Sequence, residues 1–297
     1  MDRAVFDKRM SEYILAIENR LNTCFSHGVS GTEKLKDAVL YSLLAGGKRI
    51  RPVLVLEFSR ALGFNWENAI DTACAVELIH TYSLIHDDLP CMDNDDMRRG
   101  KPSCHKAFGE DVAVLAGDAL LTHAFGMISD SAPHKISYES ACRVISLFSR
   151  YSGIDGMIGG QILDISADGK DVDADELKKI ELLKTSALII LSCKAGCIIA
   201  NADEEKLKAA EVYGENLGLA FQVIDDVLDV EGDEKLLGKA TGSDIKRDKS
   251  TYVDLLGIDE AKSYSRQLTN KAIESLYPIK DNEFLASLAE FLVSRNF

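Results

Sequence analysis

A basic face is missing from this chain of 297 residues: 34 Lys and Arg stand against 48 Asp and Glu, a formal net charge of −14. Phosphate backbones need a basic footprint, so nucleic acid is not an expected partner. The same charge leaves room for a small anion gathered by metal ions. Proline is scarce, at five residues, and abundant leucine, alanine, glutamate and lysine favour helix. The seven cysteines are odd in number and lack the spacing of a disulfide scaffold, which points to a reducing, cytoplasmic setting. Cys193 and Cys197 belong to an apolar helix face rather than to a metal or redox pair. No apolar run approaches the ~20 residues of a spanning helix, so no membrane span is expected. Met1 to Met10 mixes Asp2 and Asp7 with Arg3, Lys8 and Arg9, unlike a signal or transit peptide.

Strand pairs, low-complexity segments and inter-domain linkers are also missing. What is present is apolar spacing of helical period. It predicts helices over 4–25, from Glu33 to Leu44, from Pro52 to Leu62, over 66–88, 111–128 and 137–165, and onward from Asp175. Further helices are expected over 185–200, 204–230, 259–276 and 281–295, with 231–250 irregular. Helices of this length with short joints describe one all-α bundle over residues 1–297, a single domain around a central apolar cavity.

The densest chemistry lies at residues 86–100, where Asp87, Asp88, Asp93, Asp95 and Asp96 fall within ten positions and Arg98 and Arg99 follow. The run into it, Val76 to Ile85, is apolar. Carboxylates crowded at the mouth of a core repel one another, and a cation relieves them. Oxygen-only ligands select Mg²⁺, Ca²⁺ or Mn²⁺, and Mg²⁺ keeps positions for water and substrate phosphates. On an ideal helix Asp93 would stand roughly 240° from Asp87, so Pro90 must unwind the chain to bring it back.

A second cluster follows another apolar run: Asp225, Asp226 and Asp229 share one helix face, within roughly 60°. Taken singly, either cluster could be a solvated polar stripe. Two of them, facing across a bundle, could chelate metal around one diphosphate. A third element is basic. Gly46-Gly47-Lys48-Arg49-Ile50-Arg51-Pro52 joins a turn, clustered cations and a helix start, as an anion site does. His80 shares the face of Asp87, one heptad earlier, while His86 has no matching role and is taken as structural.

These motifs resemble the short-chain trans-prenyl diphosphate synthases, of the bacterial farnesyl and plant-type geranylgeranyl kinds. Six blocks occur in order: GGKRIRP (46–52), HDDLPCMDNDDMRRGKPSCH (86–105), GGQILD (159–164), KTSALI (184–189), FQVIDDVLD (221–229), and LGKATGSD with KSTY (237–252). The resemblance implies the isoprenoid synthase fold and a homodimer. It also implies Mg²⁺, three ions in number with Mn²⁺ as a substitute. Asp87 and Asp93, assisted by Asp88, match the first metal ligands, and Asp225, with Asp226 and Asp229, the facing ones. Arg98, Lys184, Lys239 and Lys249 match the cations on the allylic diphosphate. Lys48, Arg51, His80 and Arg99 match the isopentenyl diphosphate site. Thr185 and Gln222 match the oxygens that face the developing cation. Gln161 and Asp164 match a family block without an assigned metal role, and Arg295 is read as a surface residue.

The implied reaction condenses isopentenyl diphosphate with dimethylallyl or geranyl diphosphate by ionisation, condensation and elimination. Tyr82 and Ser83 lie about 7.5 and 6 Å along the helix from Asp87, where they would floor the cavity and end the product at farnesyl diphosphate. A geranylgeranyl product is the alternative. A class I terpene cyclase would lack the GGKRIRP block, and a regulatory subunit would carry an eroded acid motif. An acidic Ca²⁺-binding helical protein is the plainest rival.

Overall fold

Each helix begins and ends where the local chemistry dictates. In the computed structural model, residues 1–26, 28–231 and 250–293 are described. The helices are α1 Arg3–Leu21, α2 Glu33–Leu43, α3 Ile50–Ala61, α4 Ile70–Asp87, α5 Cys104–Phe108, α6 Glu110–Asp130, α7 Tyr138–Ser152, α8 Met157–Ala167, α9 Ala174–Glu181, α10 Ala187–Ile199 and α11 Glu204–Glu231. Shorter and longer helices follow at Tyr252–Leu256, Ile258–Ser275 and Glu283–Val293. Asp2 caps α1 by accepting from the Ala4 and Val5 amides, and Asp173 with Glu176 closes a capping box on α9. The all-α architecture expected from the periodicity is the one observed.

Four local expectations are corrected. A two-residue antiparallel ribbon, Met97–Arg98 against Lys101–Pro102, stands where no strand pair was expected. Its turn is Arg99-Gly100, both at positive φ (52° and 74°), the backbone that a tight hairpin requires. The predicted helix over 137–165 is two helices. At Gly156 a Cβ would strike the Tyr151 backbone, so the glycines let the chain turn sharply between α7 and α8.

In contrast, α9 and α10 do not separate: a π-helical segment, Leu182–Ser186, joins them into one rod. Finally, Glu110–Asp130 and Ala174–Ile199 are each long and apolar enough to cross a membrane by length and composition. Scattered polar residues break an apolar run but barely lower a long window's hydropathy. In the second stretch 72% of that window is buried within the fold, as befits a central core helix.

The core gathers on α3, α4, α10 and α11. Leu54, Leu56, Phe58, Leu78, Ile79, Leu191 and Tyr213 are wholly buried. Glycines permit the closest approaches. Gly196 brings α10 to within a methyl group of the Val55 carbonyl and Phe58. Gly214 and Gly218, one turn apart on α11, do the same against Ile190 and Ser186. Cys193 and Cys197 are buried thiols in this core, and all seven cysteines are free.

Candidate active site

The site forms where α4 ends. Helix α4 stops at Asp87, and Pro90 prevents its continuation. The chain then loops back, so the Asp93 amide donates to the Asp87 carbonyl at 2.8 Å and the Asn94 amide to the Leu89 carbonyl at 3.0 Å. The Pro90 bend thus returns residue 93 to the end of α4. Burial, followed by repulsion from Asp93 and Asp88, raises the Asp87 carboxyl to about 6, with Lys184 opposing. A carboxylate held in this way gains from a hard cation, and the oxygen donors fit Mg²⁺.

The other predicted ligands are already engaged. Asp88, 2% exposed, accepts from the Arg98 guanidinium through both oxygens. Arg98 also reaches Asp95 at 3.5 Å. Asp226 accepts from Gln222 Nε2 at 2.9 Å and from the Tyr252 amide at 2.9 Å. Asp226 and Asp229 are both buried in α11. Among the described residues, no three Asp, Glu, His or Cys side chains form a ready-made metal nest. Any metal here would draw on ligand oxygens as well as on protein ones.

Opposite stands a cluster of cations. Arg51 Nε is buried without a hydrogen-bond partner. Burial lowers the Arg51 guanidinium below its ordinary value, aided by Arg99 and opposed by Glu77 and Asp225. Arg99 is lowered too, by burial and then by Arg49 and Arg98, with Glu77 opposing. Its guanidinium donates to the Gly46 carbonyl and lies against Gly47, at φ 137°, where a Cβ would sit 3.0 Å from it. His80 is held well below its usual value by burial and by Arg51, Arg99, Arg49 and Arg98. Positive charge packed so closely calls for an anion of more than one charge. Lys48 is exposed beside this group.

Between acids and cations opens a cavity of about 550 Å³. Arg51, His80, Asp87, Gln161, Lys184 and Thr185 line its polar part. Tyr82, Leu121, Met157, Ile158, Ile162 and Leu188 line the apolar remainder, joined by Ser83 and His86. Tyr82 is 4% exposed, and its hydroxyl is buried without a hydrogen-bond partner. His86 hydrogen-bonds the Val114 carbonyl at 3.1 Å and packs edge-on against Tyr82, the structural part expected of it.

Two features escaped the sequence. Lys184 forms an ion pair with Asp164, which gives that aspartate of the GGQILD block its place. Lys184 and Thr185 also lie on the π segment, a wider turn often found at functional sites. Gly160 makes the segment's packing possible, because any Cβ there would overlap the Lys184 backbone. The glycine pairs at 153/156 and 159/160 were the available signal. Lys239, Lys249 and Arg295 lie outside the described residues.

Comparison with known proteins agrees with this geometry. The polyprenyl synthetase family profile matches residues 32–287. Farnesyl diphosphate synthase of Bacillus subtilis is 46% identical over 246 residues, 83% of this chain and 83% of that protein. The chloroplastic geranylgeranyl pyrophosphate synthase of Catharanthus roseus is 42% identical over 289 residues, 96% of this chain and 81% of that protein. Among solved structures, a geranyltransferase of Helicobacter pylori complexed with magnesium and isoprenyl diphosphate superposes with a TM-score of 0.87 at 34% identity, covering 97% of this chain and 98% of that one. With the cavity and its polar end of Asp87, Arg51, His80 and Lys184 already in place, the chain belongs to the polyprenyl synthetase family.

Proposed function

We propose that this chain joins isopentenyl diphosphate to dimethylallyl and then geranyl diphosphate, releasing farnesyl diphosphate. The observation that carries the reading is the cavity itself, an apolar shaft whose polar end brings Asp87 together with Arg51, His80 and Lys184. Arg51, His80 and Arg99, with Lys48, take the isopentenyl diphosphate. Lys184, with Arg98, takes the allylic one, where Asp87, Asp93 and Asp225 would hold Mg²⁺. Bound Mg²⁺ supplies counter-charge to the departing diphosphate.

The allylic C–O bond breaks and its electron pair leaves with the diphosphate. The isopentenyl double bond then attacks the allylic cation to form the new C–C bond, and the proton shed from the adjacent carbon passes to the released diphosphate. Dry walls such as Tyr82 and Leu188 protect the cation from water. The test is incubation with labelled isopentenyl diphosphate and each primer, with Mg²⁺ and with excess EDTA. Mg²⁺-dependent formation of farnesyl diphosphate is expected. Cyclised products without isopentenyl uptake would instead mark a terpene cyclase.

Product length rests on Tyr82, which lines the shaft five residues before Asp87, a rise of about 7.5 Å along the helix. Replacing Tyr82 by Ala removes that floor, so geranylgeranyl diphosphate becomes the main product by chromatographic analysis. An unchanged product would place the floor elsewhere. A homodimer would cover the apolar side chains left exposed on and before α8, Ile154, Ile158, Ile162 and Ile165, at 85%, 47%, 59% and 41% exposure, the last three at the open side of the cavity.

A further inference from the structure

Thr185, on the cavity wall, meets Gln222 of α11, and a carboxylate stands behind each. The Thr185 hydroxyl donates to Glu181 Oε2 at 2.8 Å, one turn back along the same rod. The Gln222 amide nitrogen donates to Asp226 Oδ1 at 2.9 Å. Between the two, Thr185 Oγ1 and Gln222 Oε1 lie 3.5 Å apart. A hydroxyl has one proton, and that proton goes to the nearer, charged acceptor. Neither of the facing oxygens then points a hydrogen at the other. Two oxygens that meet lone pair to lone pair repel each other where water is scarce, and an electron-deficient carbon before them offsets the penalty.

We propose that Glu181 is a positioning residue for the ionisation step, acting through Thr185. Its carboxylate, on a residue only 8% exposed, holds the Thr185 proton away from Gln222. The hydroxyl lone pairs thereby join the Gln222 carbonyl in facing the carbon that becomes cationic. Without Glu181 the hydroxyl turns to Gln222 Oε1, which occupies a lone pair of that carbonyl and re-aims the hydroxyl's own lone pairs. The inference rests on the prenyltransferase reading above. It does not alter how either diphosphate is held, so it predicts a change in turnover and none in binding.

The experiment is a double-mutant cycle on the full chain, with folding checked by circular dichroism. Wild-type protein is assayed first for isopentenyl diphosphate consumption with geranyl diphosphate. No consumption there would defeat the prenyltransferase reading before any variant is made. Glu181→Leu is expected to lower kcat on the order of tenfold to a hundredfold, since one dipole is misdirected rather than removed. KM for both diphosphates should stay within about threefold. Glu181→Gln, which keeps an acceptor oxygen in place, should restore kcat to within about fivefold of wild type.

In a Thr185→Val background, Glu181→Leu should cost no more than about twofold further. Should Glu181→Leu fail to fold, Glu181→Asp serves, because it keeps the charge but draws the acceptor back by about one bond length, ~1.5 Å. Its loss of kcat should likewise vanish in the Thr185→Val background. Equal losses in both backgrounds, or a raised KM with unchanged kcat, would overturn the proposal.

Discussion

Replacing Asp87 by Asn should lower turnover on the order of 10³-fold while leaving the fold at least as stable as before. The carboxylate sits at the end of a buried helix, where loss of water and the nearby Asp93 and Asp88 already raise it to about 6. Its folded value therefore exceeds that of the unfolded chain. Above pH 6 the ionised group costs stability, and the cost fades as pH falls through 6 toward the unfolded value. A neutral side chain of the same shape removes that cost. In metal-free buffer at pH 7.5, Asp87→Asn should thus melt at the wild-type temperature or higher. Added Mg²⁺ with a diphosphate ligand should raise the melting temperature of the wild type and much less that of the variant. A variant that melts lower yet turns over normally would make Asp87 a structural group and remove the acid wall from the site.

That opposition between activity and stability also explains how much of the site was legible in the sequence. Charges that the fold does not need stand out against an apolar background. Asp87, Asp93 and Asp225 are visible for that reason, and so are Lys48 and Arg51. The return of Asp93 was legible because six residues cannot bring a side chain back to the same helix face, and Pro90 offered the bend. Pairings across the bundle were not. Asp88 with Arg98 and Asp164 with Lys184 depend on which helices become neighbours, and local periodicity says nothing of that. The π segment spans five residues, too few to disturb a 3.6-residue pattern. The break between α7 and α8 was concealed by apolar residues on both sides, although Gly153 and Gly156 marked it.

Arg49→Ala is expected to cost about 3–5 kcal/mol of folding stability, a large part of the 5–15 kcal/mol available to a domain. Within GGKRIRP this arginine turns into the core: its side chain is 0% exposed. Its backbone is left-handed, at φ 51°. Nε donates to Glu18 at 2.6 Å, one terminal nitrogen to Glu77 at 2.6 Å, and the other to the Leu43 carbonyl at 2.8 Å. One guanidinium thereby ties α1, α2 and α4 to the start of α3. Truncation leaves Glu77, itself 2% exposed, as a buried charge without this partner, and that penalty exceeds the value of the bonds.

Glycine at position 49 relaxes the backbone but restores none of the pairing, so Arg49→Gly should recover no more than about 1–2 kcal/mol over Ala. Lysine carries the charge but cannot present a planar fork in three directions, and should fall short as well. Urea unfolding followed by circular dichroism reads all three. Removing the whole group, with Arg49→Met, Glu18→Gln and Glu77→Gln together, should be milder than Arg49→Ala alone, because Glu77 is then no longer a buried carboxylate that has lost its Arg49 partner. A loss below about 1 kcal/mol for Arg49→Ala, the value of a surface pair, would mean that water reaches Glu77. Since Glu77 lies on the same helix as His80 and Asp87, stability and substrate sites share one element. A weakened Arg49 should therefore loosen the cation cluster before it unfolds the bundle.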